Sequence, residues 1–156
     1  MKRIDGTPTT LGDYKGSVLL LVNVASKCGL TPQYEALEGL HEKFSEKGLA
    51  VLGFPANEFG AQEPGSDAEI SKFCKDKFSV KFDMFSKVVV KGEGQCPLYK
   101  YLTSKDTDPK FPGDITWNFE KFLIGKNGEI VARFAPRTKP DSEEVVKAIE
   151  AELAKK

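Results

Sequence analysis

Ser17-Val18-Leu19-Leu20-Leu21-Val22-Asn23-Val24-Ala25, followed at once by Ser26-Lys27-Cys28-Gly29-Leu30-Thr31-Pro32, decides the fold. The first nine residues are apolar almost throughout, the pattern of a strand covered on both faces. Strands of that kind belong to parallel sheets, whose connections are crossover helices. A helix duly follows. Tyr34, Leu37, Leu40 and Phe44 recur at helical spacing, so Pro32 to Glu46 reads as a helix. Pro32 suits its first turn and Gly48 its end. Leu49 to Phe54 is then a second buried strand.

Further along, Pro55, Gly60, Pro64 and Gly65 mark a loop. Ser66-Asp67-Ala68-Glu69 is a capping box and opens a helix to about Lys77, with Ile70, Phe73 and Cys74 on its apolar side. Lys87 to Val90 is expected as a third strand and Pro97 to Thr103 as a short helix. Glu120–Ile124 and Glu129–Phe134 flank Lys126-Asn127-Gly128, a hairpin signal. A last helix is expected over Asp141–Leu153, with Val145, Val146, Ile149 and Leu153 inward. Strands alternating with helices, closed by a hairpin, make a thioredoxin-like α/β layout: a central mixed sheet flanked by helices, in one domain over residues 1–156.

Lys+Arg and Asp+Glu balance at 23 each, which leaves no electrostatic footprint for nucleic acid or an anionic membrane. No block of like charges occurs beyond Lys155-Lys156. No apolar stretch follows Met1-Lys2-Arg3-Ile4-Asp5-Gly6, so no secretory signal is expected. The apolar run Val18–Val22 is too short to span a bilayer. The expectation is a soluble, cytoplasmic protein. In a reducing compartment three cysteines are not a disulfide framework but are buried, metal-binding or catalytic. Cys28, Cys74 and Cys96 contain no C-x-x-C, and His41 is the single histidine. No metal or cofactor is expected.

Cys28 follows a buried strand and precedes a helix, where unpaired N–H groups and the helix dipole stabilise a thiolate. Lys27 adds positive charge beside it. Thr31 stands where a dithiol exchanger has its second cysteine, so Cys28 attacks alone and any resolving thiol lies elsewhere. The alternative is a small buried cysteine with no chemistry.

Asn23-Val24-Ala25-Ser26-Lys27-Cys28-Gly29-Leu30-Thr31 resembles the active-site motif of glutathione peroxidases in their cysteine, non-selenium form. Leu52-Gly53-Phe54-Pro55-Ala56-Asn57-Glu58-Phe59-Gly60-Ala61-Gln62-Glu63-Pro64-Gly65 resembles the family's second signature, and Trp117-Asn118-Phe119-Glu120-Lys121-Phe122-Leu123 its third. The resemblance covers nearly the whole chain and implies a catalytic group of Cys28, Gln62, Trp117 and Asn118. The residue types fit: two amides and an indole are N–H donors that favour a charged sulfur and stabilise a leaving oxygen. His41, well along the helix, is not a base for Cys28.

The implied activity is reduction of hydrogen peroxide and organic hydroperoxides to water and alcohols, leaving a sulfenic acid on Cys28. Phe73-Cys74-Lys75-Asp76-Lys77-Phe78 resembles the resolving-cysteine segment of the family's thioredoxin-dependent branch. That implies a Cys28–Cys74 disulfide regenerated by thioredoxin. A disulfide needs Cα atoms within about 7 Å, so the helix carrying Cys74 is expected to unwind locally on oxidation. The competing reading makes Cys74 a core residue and an external thiol the resolver. A glutathione-dependent peroxidase and a peroxide sensor or relay are the other functional readings.

Cys96 is expected to have no catalytic role. The short Leu102–Ile115 interval lacks the insertion of tetrameric members and implies a monomer. Glu58 stands where Gln is common, Ala56 where some members carry Cys, and Asp83 where Pro is common.

Overall fold

The computed structural model describes residues 1–155; Lys156, the second of the terminal lysine pair, lies outside the described residues. Five strands form one sheet: β1 (Val18–Val24), β2 (Leu49–Pro55), β3 (Asp83–Met84), β4 (Lys121–Ile124) and β5 (Ile130–Phe134), in the order β3-β2-β1-β4-β5. β1 runs parallel to β2 and antiparallel to β4, β2 runs parallel to β3, and β4 and β5 form an antiparallel hairpin. The helices are α1 (Gln33–Phe44), α2 (Asp67–Phe78), α3 (Pro97–Thr103) and α4 (Glu143–Leu153), with short 3-10 turns at Leu11–Tyr14 and Ser45–Lys47. This is the thioredoxin-like mixed sheet that the strand–helix alternation predicts.

Every residue of β1 is buried, as its position in mid-sheet requires. Its side chains alternate between two cores. Val18, Leu20, Val22 and Val24 pack with Tyr34 and Leu37 of α1, Ile70 and Cys74 of α2, and Val145 and Ile149 of α4. Leu19 and Leu21 pack with Phe54, Phe85, Phe122 and, from α3, Tyr99 and Leu102. The apolar run therefore serves both faces at once.

Local signals fix the helix ends. The Ser66 hydroxyl accepts the Glu69 N–H (3.2 Å), and the Glu69 carboxylate accepts the Ser66 N–H (3.1 Å), which completes the capping box of α2. α1 tightens into a 3-10 turn that Gly48 ends with φ 109°. α4 starts at Glu143 rather than Asp141, because Ser142 is the residue that caps it.

The third strand differs from expectation. Lys87–Val90 joins no ladder, and the third strand is the pair Asp83–Met84, in register with Leu52 and Gly53. The backbone donors of 87–90 go to side chains and a strand end instead. Lys87 N–H reaches Asp67 Oδ1 (2.9 Å), Val90 N–H reaches Glu58 Oε1 (2.6 Å), and Val88 N–H reaches the Pro55 carbonyl (2.9 Å). Glu58, a departure from the usual Gln, thus helps hold the segment out of the sheet. Asp83, another departure, receives the Tyr14 hydroxyl (2.6 Å) and faces Arg3 (3.4 Å). β3 approaches β2 closely enough that a Cβ on Gly53 would stand 2.6 Å from Met84 Sδ.

Among the described residues no helix is long and apolar enough to cross a membrane.

Candidate active site

Where β1 ends, three stretches meet: the turn 25–32, the loop 56–65 and the residues 116–119. Cys28 is half-buried in the first. α1 begins only at Gln33, so Cys28 stands a full turn ahead of the helix, within a run of tight turns. Thr31 N–H bonds the Cys28 carbonyl (3.1 Å) and Gln33 N–H the Leu30 carbonyl (2.9 Å). The backbone donor that reaches Cys28 Sγ is the Leu30 N–H, at 3.3 Å. Thr31 clasps the turn: its hydroxyl accepts the Cys28 N–H (2.9 Å) and donates to the Ala25 carbonyl (2.8 Å). The residue in the place of a second cysteine is therefore a buried brace.

The loop 56–65 is laced to this turn. Lys27 N–H donates to the Gln62 carbonyl (3.0 Å), and Ser26 N–H to Glu63 Oε1 (3.2 Å). Two consecutive residues before Gln62 take left-handed backbone, Gly60 (φ 69°) and Ala61 (φ 52°). A left-handed Ala costs about 1–3 kcal/mol and persists only where surroundings hold it. Gly60 also leaves room for its neighbours, since a Cβ there would stand 3.2 Å from the Trp117 ring and 3.4 Å from Gln62.

Asn118 is fully buried. Its amide N–H₂ donates to Gln62 Oε1 (3.0 Å) and to the Phe59 carbonyl (3.4 Å). With its oxygen so engaged, the Gln62 amide keeps its N–H groups as donors. Phe119, at φ 67°, anchors this stretch to β1: its N–H donates to the Asn23 carbonyl (2.6 Å), while the Asn23 side chain donates to the Trp117 carbonyl (3.0 Å). Trp117 is 38% exposed, its ring 5.7 Å from that of Phe59. Upstream, the buried Glu120–Arg133 ion pair fixes the approach to Trp117. Glu120 accepts from Thr116, and Arg133 donates to the carbonyls of Phe111, Gly113 and Asp114. Lys121, fully buried and pushed down to about 7 by burial, gives its N–H bonds to the carbonyls of Ala135, Pro136 and Thr138.

The structure thus joins Gln62 to Asn118 directly, Gln62 to the Cys28 turn through backbone, and the Asn118 stretch to Asn23 at the end of β1. Among the described residues the hydrogen bond to Cys28 Sγ comes from Leu30 alone, not from Gln62, Trp117 or Asn118. An exposed indole, an amide with free donors and a half-buried thiol around the end of β1 have the chemistry to receive a small polar substrate and stabilise charge on a departing oxygen.

Cys74 lies elsewhere, 1% exposed on α2 inside the cluster that Cys28 borders from outside. Burial pushes its thiol up to about 11. The Tyr34 hydroxyl beside it opposes that rise without forming a hydrogen bond of ordinary geometry, and is itself pushed well up by burial. All three cysteines are free thiols. Cys96 caps α3 and packs on the opposite face of the sheet.

Sequence reading missed Glu63, 1% exposed, and Lys87, whose ammonium donates to the Glu63 (3.0 Å) and Gly65 (2.5 Å) carbonyls. A Glu between loop residues and a Lys in an apolar run both look like solvent-facing charges. Only the place of Glu63 inside the second motif hinted at more.

The glutathione peroxidase family profile matches residues 1–103. The chain is 47% identical over 174 aligned positions to Thioredoxin/glutathione peroxidase BtuE of Escherichia coli K12, covering 99% of this chain and 95% of that protein. It is 46% identical over 143 positions to Hydroperoxy fatty acid reductase gpx1 of Synechocystis, covering 88% and 85%. Among solved structures, apo Trgpx superposes with a TM-score of 0.77 at 34% identity, covering 99% of this chain and 92% of the other.

Proposed function

This chain belongs to the glutathione peroxidase family, and on that premise we propose that it is a one-domain thiol peroxidase that reduces hydroperoxides at Cys28. The observation that carries the assignment of roles is the lacing of Cys28, Gln62 and Asn118 from three distant stretches at the C-terminal end of β1. The Cys28 thiolate attacks the terminal oxygen of the peroxide. The S–O bond forms, the O–O bond breaks, and the departing alkoxide or hydroxide takes a proton to leave as alcohol or water. The Gln62 amide and the Trp117 indole supply N–H donors toward that oxygen, while Asn118 holds Gln62 in place.

Cys74 then attacks the Cys28 sulfenic acid, and a Cys28–Cys74 disulfide forms with loss of water. A dithiol reductant of the thioredoxin type restores both thiols. Support for this step comes from the shared cluster that both cysteines touch. Because Cys74 is buried on a helix, α2 has to open for the sulfurs to meet. In this reading the protein is a cytoplasmic monomer that acts on hydroperoxides and a thiol reductant, without nucleic acid.

The test is peroxide-dependent NADPH consumption with thioredoxin and thioredoxin reductase, wild type against Cys74→Ser, with glutathione and its reductase in parallel. Sustained turnover by wild type and none by Cys74→Ser with thioredoxin is expected. Turnover with glutathione alone, or an unaffected Cys74→Ser, would remove Cys74 from the cycle. Stoichiometric oxidation that stalls with both reductants would point to a sensor.

A further inference from the structure

Glu63 is a buried carboxyl that the scheme so far leaves idle. It is 1% exposed, although Pro64 beside it faces solvent. Its backbone is fixed from two sides: the N–H donates to Asn57 Oδ1 (2.9 Å), and the carbonyl accepts from Lys87 Nζ (3.0 Å). One carboxyl oxygen, Oε1, accepts the Ser26 N–H two residues ahead of Cys28. The other, Oε2, is buried without a hydrogen bond of ordinary geometry, as is the Ser26 hydroxyl beside the carboxyl. Such an atom is costly to keep and is open to a proton.

Its surroundings run from the Cys28 turn to α2. Glu63 lines a cavity of about 350 Å³ whose walls are Ser26 and Lys27 from the Cys28 turn and Glu69, Ile70 and Phe73 from α2. Phe73 directly precedes Cys74. An ionised Glu63 raises both Cys74 and Tyr34, so the carboxyl stands within electrostatic reach of the buried thiol. The charged and titratable groups around it are Lys27 from the turn, Lys87 from the segment after β3, Glu69 and Cys74 from α2, and Tyr34 from α1. Burial favours its neutral form and wins, while the Ser26 hydroxyl, the Ser26 N–H and the two lysines favour the anion. Both forms are therefore accessible to it.

We propose that Glu63 carries the proton of the resolving step, taking it from the Cys74 thiol as that sulfur attacks and returning it to the oxygen that leaves Cys28. The Cys74 S–H bond breaks and its proton passes to the Glu63 carboxylate. The S–S bond forms while the S–O bond of the sulfenic acid breaks. The departing hydroxide collects the proton from the Glu63 acid and leaves as water. Cys74 sulfur is oxidised, Cys28 sulfur is reduced, and nothing external is consumed. The inference rests on the reading of Cys74 as resolving thiol. It also answers a difficulty in that reading, since a thiol pushed up by burial is a poor nucleophile on its own.

The experiment mixes reduced protein with one equivalent of hydrogen peroxide and quenches with an alkylating reagent. Mass spectrometry then follows the Cys28 sulfenic acid and the Cys28–Cys74 disulfide separately, across pH. Glu63→Gln keeps an oxygen for the Ser26 N–H but cannot carry a proton. It should slow disulfide formation about 10²-fold relative to sulfenic acid formation, the ordinary scale of general acid–base catalysis. Equal slowing of both steps, or of neither, overturns the proposal. If wild type never forms the disulfide, both the proposal and the reading of Cys74 fall; if wild type forms it and Glu63→Gln matches it, only the proposal falls. Should Glu63→Gln not fold, wild type alone decides. A disulfide rate that levels off near neutrality supports the carrier. One that keeps climbing from about pH 8 to 10, as an unaided thiol ionises, overturns it.

Discussion

Around Cys28 the polar groups are engaged across segments: Thr31 with Ala25, Lys27 with Gln62, Asn118 with Gln62. Around Cys74 the neighbours are apolar: Ile70, Phe82, Leu37 and the ring of Tyr34 in one cluster. One thiol sits half-open in a braced turn, beside loops whose backbone is left-handed at Gly60, Ala61 and Phe119; the other is sealed on a regular capped helix. The first arrangement can react in place, because its donors are fixed before substrate arrives. In the proposed cycle the second cannot, because its sulfur has to travel and shed a proton. On that cycle the difference teaches that attack and resolution draw on different properties of the fold, rigidity for one and local opening for the other.

The largest expected effect tests that division directly. Cys28→Ser should lower peroxide reduction by about 10³-fold or more, as removal of a nucleophile does, whereas Cys74→Ser should leave single-turnover sulfenic acid formation within about threefold of wild type. Comparable loss in both, measured by stopped-flow peroxide consumption, would break the comparison. Next in size, Gln62→Ala should cost about 10²-fold in the rate of the peroxide step, the scale of one removed oxyanion donor. A deficit appearing only in disulfide formation would assign Gln62 to the wrong half of the cycle.

Smaller effects concern α2. The Cys74 thiol is raised in the fold from its ordinary 9.0 to about 11. Its burial therefore stabilises the protein fully below about pH 9, and that contribution is lost as pH rises through about 11. Two pKa units correspond to about 2–3 kcal/mol. Chemical denaturation from pH 8 to 11 should show the fall in wild type and a shallower one in Cys74→Ala. Smallest, Ser66→Ala removes the cap of α2 and should cost about 1 kcal/mol of stability. If opening of α2 limits resolution, the same change should speed disulfide formation by up to about fivefold, that free energy expressed as a rate ratio. An unchanged or slower rate in a quenched time course would separate resolution from helix opening.

Much of this was legible in the chain itself. Continuous apolar runs announced β1 and β2, the Ser66–Glu69 box announced α2, and Asn127-Gly128 announced the hairpin. The third strand was not legible. Lys87–Val90 has the composition of a strand, yet carboxylates of Glu58 and Asp67, distant in sequence, take its N–H groups. Nor does periodicity show that α1 waits until Gln33 while the Thr31 hydroxyl fastens the turn. For the site, the motifs named Cys28, Gln62, Trp117 and Asn118, but the contact between Gln62 and Asn118 depends on left-handed backbone at Ala61 and Phe119, residue types that carry no turn signal. Glu63 was hidden because burial of a loop carboxylate is a property of the folded neighbourhood alone.

Cys96 and the other two thiols lie on opposite faces of β1, whose alternating side chains separate the two cores. The sheet then acts as a partition against mispairing. In the proposed cycle every turnover creates a sulfenic acid that is exposed to capture by the wrong sulfur. Here Cys96 is walled off by the hydrogen-bonded sheet, so on that cycle fidelity of disulfide choice is inherited from topology and asks nothing of the reactivity of Cys96.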